Sequence, residues 1–285
     1  MPASLSFRIM IWLGVAAVLL WSLGPIYWNL ASSITPSDDF SARPIHFFPQ
    51  SFTLNHFERL LGINVDRIGG VQVWAQFRTA LFNSVVTSLA STIVCVAISA
   101  FGGYAFTRLN FPGRRVLFIA TVATIAIPGY AVLIPLYRLM IGLHMVDTIT
   151  GITAIYVSAF LPLALWLMRS VFESLPVSLE EAAQIDGAGR LYIFFWIVLP
   201  LVGPGLTAAA ILTFLGAWGQ YLVPLIFSPT ATKPLTVLIP EFATKNFIDY
   251  GLITASGSIA IVIPALVVIF LNRYLVSGLL AGSVK

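Results

Sequence analysis

The stretch SLEEAAQIDGAGRLYIFFWIVLP, residues 178 to 200, places three acidic residues and one arginine between two long apolar segments. The chain around it has 285 residues, of which 59% are hydrophobic and 9% are charged. An average soluble domain has roughly 25% charged residues. Because a water-soluble fold could not bury so much apolar surface, the composition predicts an integral membrane protein in which this stretch is a polar exception.

Six long apolar runs lie along the chain, and four of them precede this stretch. A spanning helix needs about 20 mainly apolar residues to cross roughly 30 Å of hydrocarbon, and six runs of that length contain no Asp, Glu, Lys, Arg or His. They cover approximately residues 9–31, 79–106, 116–137, 149–168, 195–223 and 254–272. The first is too long for a signal-peptide core of about 7–15 residues. We therefore predict an all-α membrane protein with one transmembrane domain over residues 1–285 and a long outer loop at residues 32–77.

The loop TRLNFPGRR, residues 107–115, sets the orientation. It packs three arginines and no acid between two spans, and short basic loops stay on the cytoplasmic side. Both termini and the loop at residues 173–194 then also lie in the cytoplasm. The net charge is only +4, and without a basic cluster on a soluble domain the chain is not expected to bind nucleic acid. Membrane lipid is the expected surrounding.

Several functions are disfavoured by what the spans lack. No ionisable residue lies inside them, whereas proton-driven transporters usually carry buried charges. There is no G-x-x-x-x-G-K-[ST] loop for ATP phosphates and no catalytic constellation. His46, His56 and His144 are too widely spaced for a metal site and are interpreted as isolated loop histidines. No metal and no enzymatic activity are predicted.

Helix-breaking residues interrupt two of the spans. IAIPGYAVLIPLY contains Pro128, Gly129 and Pro135, and LPLVGPG places two prolines near the start of the fifth span. Proline removes a backbone hydrogen bond and kinks a helix. Kinked helices either line a gated pathway or are ordinary packing kinks, and the sequence leaves both interpretations open.

Trp218, Gln220 and Tyr221 lie together at the outer end of the fifth span. Aromatic rings and an amide could stack on and bind a polar solute such as a sugar. The same residues are typical of an interfacial aromatic belt, which is the more common arrangement. They are candidates for the solute pathway.

The opening stretch itself predicts a short helix. Ser178 is expected to cap it, with Glu181 three positions later completing a capping box. Gly187 is suited to end it in the left-handed conformation. A second helix would begin near Arg190 and continue into the fifth span.

One face of that short helix is small. Leu179, Ala182, Ala183 and Asp186 share it by three-and-four spacing, and the alanines would let another surface approach the backbone. A partner-docking helix is therefore favoured. The alternative is a helix lying on the bilayer, but such helices are usually rich in Lys and Arg with bulky apolar anchors.

The spacing beyond the helix is more specific still. Glu181-Ala182-Ala183 is followed by three residues, Gly187, nine residues, Ile197, one residue and Leu199-Pro200. This pattern resembles the EAA signature of the permease subunits of binding-protein-dependent ABC importers at every defined position. AFTRLNFPGRR (105–115) and the terminal GLLAGSVK (278–285) are similar to stretches of the maltose-type carbohydrate permeases. The resemblance covers the chain from the first span to its last residue.

The resemblance implies a subunit of the plasma (inner) membrane of a bacterium or archaeon, with a coupling helix that fits a cleft of a cytoplasmic ATPase. The implied docking positions are Glu181, Ala182, Ala183 and Gly187, with Asp186 as an adjacent candidate. The implied partners are a second, non-identical permease, two copies of the ATP-binding subunit, which hold ATP and Mg, and an extracytoplasmic binding protein. No cofactor is implied in this chain.

The implied solute is a carbohydrate, whether a sugar, an oligosaccharide, a polyol or a sugar phosphate. Where relatives often carry W-N-[DE]-F, this chain has Trp218-Gly219-Gln220-Tyr221, which leaves the particular solute open. The alternative function is an independent secondary transporter or channel driven by an ion gradient. The EAA loop and the absence of carboxylates within the spans both disfavour that alternative.

Overall fold

The computed structural model describes residues 5–41, 46–64, 67–68, 71–243 and 248–282. Within them the chain is almost entirely helical, with one antiparallel pair of two-residue strands, β1 (Arg67–Ile68) and β2 (Val71–Gln72). The α-helices are α1 (Leu5–Ser33), α2 (Asn55–Leu61), α3 (Val73–Arg108), α4 (Arg114–Ala123), α5 (Leu133–Gly142), α6 (Ile149–Glu173), α7 (Ser178–Ile185), α8 (Arg190–Tyr192), α9 (Leu199–Leu201), α10 (Gly203–Trp218), α11 (Leu222–Phe227), α12 (Leu235–Glu241) and α13 (Tyr250–Gly282). Short 3₁₀ helices cover Ser37–Ser41, Thr124–Ala126 and Gly129–Val132, and a π-helix covers Ile193–Val198.

Four of the described helices, α1, α3, α6 and α13, are each long and apolar enough to cross a membrane. Two bent pairs bring the number of candidate spans among the described residues to as many as six. All backbone groups of a helix interior are bonded within the segment, which is why helices suit a hydrocarbon environment. The architecture is that of an all-α membrane protein, with α3 beginning at Val73, before the predicted start at residue 79.

The third predicted span, residues 116–137, is broken rather than continuous. Residues 114–126 and 129–142 form two helical segments that meet at 97°. At the break Ile127 is extended, with φ −76° and ψ 123°. A proline disfavours the helical conformation of the residue before it and has no N–H of its own, so Pro128 accounts for the break.

The fifth predicted span, residues 195–223, is also interrupted. Residues 190–201 and 203–218 meet at 74°. In a regular helix the Pro200 ring would crowd the carbonyl of residue 196, and here the preceding turn is the wider π-helix. Beyond Trp218 the chain leaves the helix for three residues before α11 begins.

The chain divides into two compact units, each described here by itself. The first unit consists of residues 1–79 and 238–263, and the second unit of residues 80–237 and 264–285. The single transmembrane domain expected from the sequence stays a prediction.

Polar contacts join the helices of the first unit. The Arg59 guanidinium lies 2.5 Å from the carboxylate of Asp249, which is almost fully buried. The Asn29 amide of α1 donates to the Thr254 carbonyl and the Ser258 hydroxyl of α13, at 3.2 and 3.0 Å. Buried side chains that bond across helices fix which faces meet.

His56 belongs to the interior of the same unit. Its side chain is 1% exposed, and its Nε2 lies 2.9 Å from the Thr35 carbonyl. A Cβ at Gly251 would lie 2.2 Å from the imidazole ring, so only glycine leaves room for it. The interpretation of His56 as an isolated loop histidine is therefore wrong, because the tertiary fold buries one face of α2.

The second unit has its main apolar cluster where α3, α6, the π-helix and α10 meet. The buried members of this cluster are Ala100, Ala164, Met168, Phe172, Ile193, Phe194, Val198, Val202 and Ala209. Tyr104 of α3 packs edge-on against Phe172 and Phe194, with ring centroids 5.7 and 5.0 Å apart. Ala183 of α7 and Ala188 of the following turn pack against this cluster.

Candidate functional site

The start of α7 differs from the sequence-based expectation. Val177, not Ser178, occupies the N-cap position, and no side chain caps the helix. The N–H groups of Glu180 and Glu181 both donate to the Val177 carbonyl, at 2.9 and 3.1 Å. The predicted capping box is wrong, because Val177 already has α-helical backbone angles and Ser178 lies inside the first turn.

The end of α7 agrees with the expectation. Gly187 has φ +85°, in the left-handed region. Its N–H donates to the Gln184 carbonyl at 3.0 Å, and the Ala188 N–H donates to the Ala183 carbonyl at 2.9 Å. This pair of bonds is a Schellman motif, which satisfies the last carbonyls of the helix.

Glu180 is the acidic residue of α7 that the sequence reading missed. It is 5% exposed, and its carboxylate accepts from Arg108 Nε at 2.5 Å and from the Tyr104 hydroxyl at 2.8 Å. Arg108 also donates to the Leu175 carbonyl at 2.8 Å. The only signal in the sequence was that Arg108 belongs to the arginine-rich loop at residues 107–115.

The other acidic side chains of the loop face outward. Glu181, Ala182 and Asp186 are exposed, and Ile185 is 87% exposed at the tip of the helix. Ala183 is half-buried and packs against the main apolar cluster of the second unit. Ala183 therefore lets α7 pack closely on the rest of the second unit, while Ala182 forms a small exposed surface.

A groove of about 530 Å³ lies beside the turn that follows α7. Its lining consists of Ala183, residues 186–189, Tyr192 and Ile197. Ile197 and Leu199 are half-buried against the apolar cluster, so the apolar positions of the EAA spacing anchor this turn. The result is a small-residue surface with one carboxylate, held on a fixed base and able to receive a complementary protein surface.

The pathway candidates are placed differently from one another. Trp218 is 8% exposed and stacks on Phe214, with ring centroids 5.7 Å apart. Gln220 lies in the break after α10, where its carbonyl accepts from the Thr236 hydroxyl at 2.6 Å. Tyr221 is 45% exposed. Trp218 therefore packs inside the unit, and Tyr221 is the most exposed of the three candidates.

In the second unit, Asp147 organises the loop of residues 228–234. Its carboxylate accepts from the N–H groups of Ala231 and Thr232, at 2.9 and 3.0 Å, and from the hydroxyls of Thr230 and Thr232. Burial alone would raise the pKa of Asp147, but these hydrogen bonds outweigh it and lower the pKa to about 2.

We expect Asp147→Asn to loosen this loop, because an amide presents donors where the loop also presents donors. Hydrogen bonds to a charged group contribute about 1.5–3 kcal/mol each. Amide exchange over residues 228–235 should therefore become at least about tenfold faster, as measured by hydrogen–deuterium exchange with mass spectrometry. Asp38→Asn, at an exposed carboxylate of the first unit, is the matched control and should change nothing there.

The pH dependence of this contact has a definite sign. A carboxyl group with a lowered folded-state pKa stabilises the fold above its unfolded pKa, and the contribution is lost as pH falls through about 2. Intrinsically corrected protection of the loop should be constant between about pH 5 and pH 8. A titration of loop protection within that range would contradict the assignment.

Among the described residues, no group of three or more His, Cys, Asp or Glu side chains could hold a metal ion. Two surfaces stand out: the outward face of α7 with its turn, and the loop fixed by Asp147.

Comparison with known proteins gives three further findings. The family described as "Binding-protein-dependent transport system inner membrane component" matches residues 98–280. The chain is 32% identical over 273 residues to the trehalose transport system permease protein SugB of Mycobacterium tuberculosis, covering 94% of each protein. It is 31% identical over 274 residues to the sulfoquinovosyl glycerol transport system permease protein SmoH of Agrobacterium fabrum, covering 96% of this chain and 92% of that protein.

Among solved structures, the fold is similar to a chain of a bacterial ABC transporter involved in the import of the acidic polysaccharide alginate. The TM-score is 0.77 at 23% identity, and the match covers 95% of this chain and 98% of that chain. At this level of identity the likeness concerns the fold alone.

Proposed function

This chain belongs to the family of binding-protein-dependent transport system inner membrane components, and from this premise we propose that it forms half of the translocation pathway of an ATP-driven carbohydrate importer. The observation that carries the proposal is the α7 loop. Its outward face is small and exposed, its end is fixed by the Schellman motif at Gly187, and its EAA spacing is complete through Pro200. Such a surface is suited to dock a protein partner.

The docking surface would consist of Glu181, Ala182, Asp186 and Gly187, with Ala183 setting its distance from the body of the protein. Ala182 would allow close approach of the ATPase, and Glu181 or Asp186 would accept charge-assisted hydrogen bonds. The ATPase subunits, present in two copies, would bind ATP and Mg. This chain would act as a transport subunit without an ATPase site of its own.

The proposed solute is a carbohydrate that a binding protein delivers on the extracytoplasmic side. Two relatives with similarity over almost the whole chain are named for trehalose and for sulfoquinovosyl glycerol, and this supports a sugar or a sugar derivative. Tyr221 is the pathway candidate whose exposure fits contact with a solute. A second, non-identical permease would complete the pathway.

The proposed location is the plasma (inner) membrane of a bacterium or archaeon, with both termini and α7 in the cytoplasm. The arginine-rich loop at residues 107–115 supports this orientation, because short basic loops stay on the cytoplasmic side. Arg108 binds Glu180, so α7 would lie on the same side as this loop. In a Cys95→Ser background, a membrane-impermeant maleimide should label Gln184→Cys in inverted vesicles, which expose the cytoplasmic face, and not in right-side-out vesicles. Labelling in right-side-out vesicles would contradict the orientation.

To test the function, the tagged chain is co-expressed with its neighbouring genes and purified. We expect a second permease and an ATPase subunit to co-purify, and uptake of a radiolabelled sugar into vesicles to require internal ATP and to resist ionophores. The alternative, a gradient-driven secondary transporter or channel, predicts flux through the chain reconstituted alone. Flux that ionophores abolish would contradict the proposal.

A further inference from the structure

A buried ion pair joins α7 to α3. Arg108 and Glu180 are an ion pair whose side chains are only 10% and 7% exposed. Removing two charges from water is costly and is offset only by good geometry and further hydrogen bonds. Both are present, because each carboxylate oxygen of Glu180 has its own donor and Arg108 also binds the Leu175 carbonyl.

This cluster, which we call the inner joint (Tyr104, Arg108 and Glu180), connects two elements that are far apart in sequence. Tyr104 and Arg108 lie in the last turns of α3, and Glu180 lies in the first turn of α7. A helix of eight residues is marginal by itself. The position of α7 is therefore fixed by its attachment to α3 and to the apolar cluster.

The opposite part of α3 makes a second set of long-range contacts, which we call the outer joint. The amide of Asn83, which is 4% exposed, donates to the carbonyls of Ala231 and Lys233, at 3.0 Å each. The hydroxyl of Ser84 accepts from the Leu235 N–H at 2.8 Å. These bonds tie α3 to the same loop that Asp147 binds.

Both joints lie on α3, in the part of this helix that belongs to the second unit. Ser84 and Arg108 lie 24 positions apart, which at about 1.5 Å per residue corresponds to roughly 36 Å along the axis. A continuous helix with buried polar attachments at both ends transmits displacement better than a loop does, because its backbone hydrogen bonds resist bending.

We infer that α3 is a strut that links the ATPase-docking helix α7 to the loop of residues 228–234, with Glu180 and Asn83 as positioning residues at its two ends. This inference rests on the proposed function. ATP-driven movement of α7 would pull on α3 through the ion pair and change the hydrogen bonding of the outer loop. Glu180 would thus act in energy transmission, while the outward residues of α7 act in docking.

The test uses the complete transporter complex in nanodiscs and measures hydrogen–deuterium exchange of peptides covering residues 228–235, with and without AMP-PNP and Mg. Allosteric coupling typically corresponds to about 5–150-fold changes in an equilibrium. We expect AMP-PNP to change exchange of the wild-type loop by at least about fivefold. Glu180→Gln should abolish most of that change while the ATPase subunit remains bound and basal ATP hydrolysis persists.

Asn83→Ala provides an independent variant, because it leaves the buried ion pair intact. It should also reduce the response to AMP-PNP, even if Glu180→Gln destabilises the chain. Leu89→Ala, at an exposed position of the same helix, is the control and should respond as wild type. Tyr104→Phe removes one donor from the carboxylate and should give a smaller loss than Glu180→Gln.

The double variant Glu180→Gln/Asn83→Ala is the decisive measurement. Distant substitutions normally act additively, whereas two breaks in one strut should be no worse together than the more severe one alone. Additive losses, or a wild-type response in both single variants, would overturn the strut. A wild-type chain that retains no ATPase subunit would instead contradict the proposed function.

Discussion

Tryptophan in place of Ala182 is expected to abolish carbohydrate uptake while the chain remains folded in the membrane. Ala182 is exposed on α7, whereas Glu180 and Ala183 face the protein, so a large side chain at residue 182 has space in the isolated subunit. In the proposed complex it would enlarge the surface that we propose docks the ATPase subunit. Overpacking of a well-packed contact costs about 1–3 kcal/mol, which corresponds to roughly 5–150-fold weaker association.

The measurement is co-purification of the ATPase subunit together with uptake in vesicles. Ala182→Ser is the matched control, because it adds a polar group but little volume, and it should keep most of both activities. If size is what matters, the tryptophan variant fails and the serine variant does not. Full ATPase retention by Ala182→Trp would show that this face of α7 does not enter a cleft.

Valine in place of Gly187 is expected to have an effect of similar size through the backbone. Gly187 has φ +85°, and the left-handed conformation costs an ordinary residue about 1–2 kcal/mol, with a larger penalty for a β-branched one. A Cβ at this position would meet no heavy atom within 4 Å, so the penalty is conformational rather than steric. The Schellman bonds would be lost, and the turn that carries Asp186 would change direction.

Gly187→Asn separates this explanation from a general intolerance of side chains. Asparagine adopts the left-handed conformation far more readily than valine, so it should retain most ATPase association and uptake, while Gly187→Val loses both. Exchange of the Ala188 amide, which donates to the Ala183 carbonyl, should rise in the valine variant only. Equal loss in both variants would indicate that glycine is needed for contact with the partner instead.

The two alanines of the EAA signature, Ala182 and Ala183, were identified from the sequence, but the structure gives them different roles. Ala182 and Ala183 are equivalent in the EAA spacing, yet one is exposed and the other packs on the apolar cluster. The direction of each side chain depends on how α7 rests on α3 and the π-helix. Spacing along one short helix contains no information about that contact.

Bends in the membrane helices show the same division. Proline and glycine in two apolar runs predicted kinks, because those residues cannot continue a regular helix. The angles of 97° and 74° could not be predicted, since they depend on which neighbouring side chains fill the space around each break. The environment of Trp218 could not be predicted either. Its sequence position suggested an interfacial belt or a solute pathway, whereas the structure packs its ring on Phe214.

The sequence by itself determined the membrane class, the helical fold, the EAA loop and the left-handed turn at Gly187. The membrane class, the helical fold and the turn at Gly187 follow from composition, run length and local backbone preferences, whereas the EAA loop was identified by its resemblance to the permease signature. Only the tertiary structure decided that Glu180 is buried against Arg108, that Val177 replaces Ser178 as the N-cap residue, and that α3 connects α7 to the loop of residues 228–234. The burial of Glu180 and the links made by α3 depend on contacts between residues 72 to 151 positions apart, and a buried charge is stabilised only where such distant partners meet.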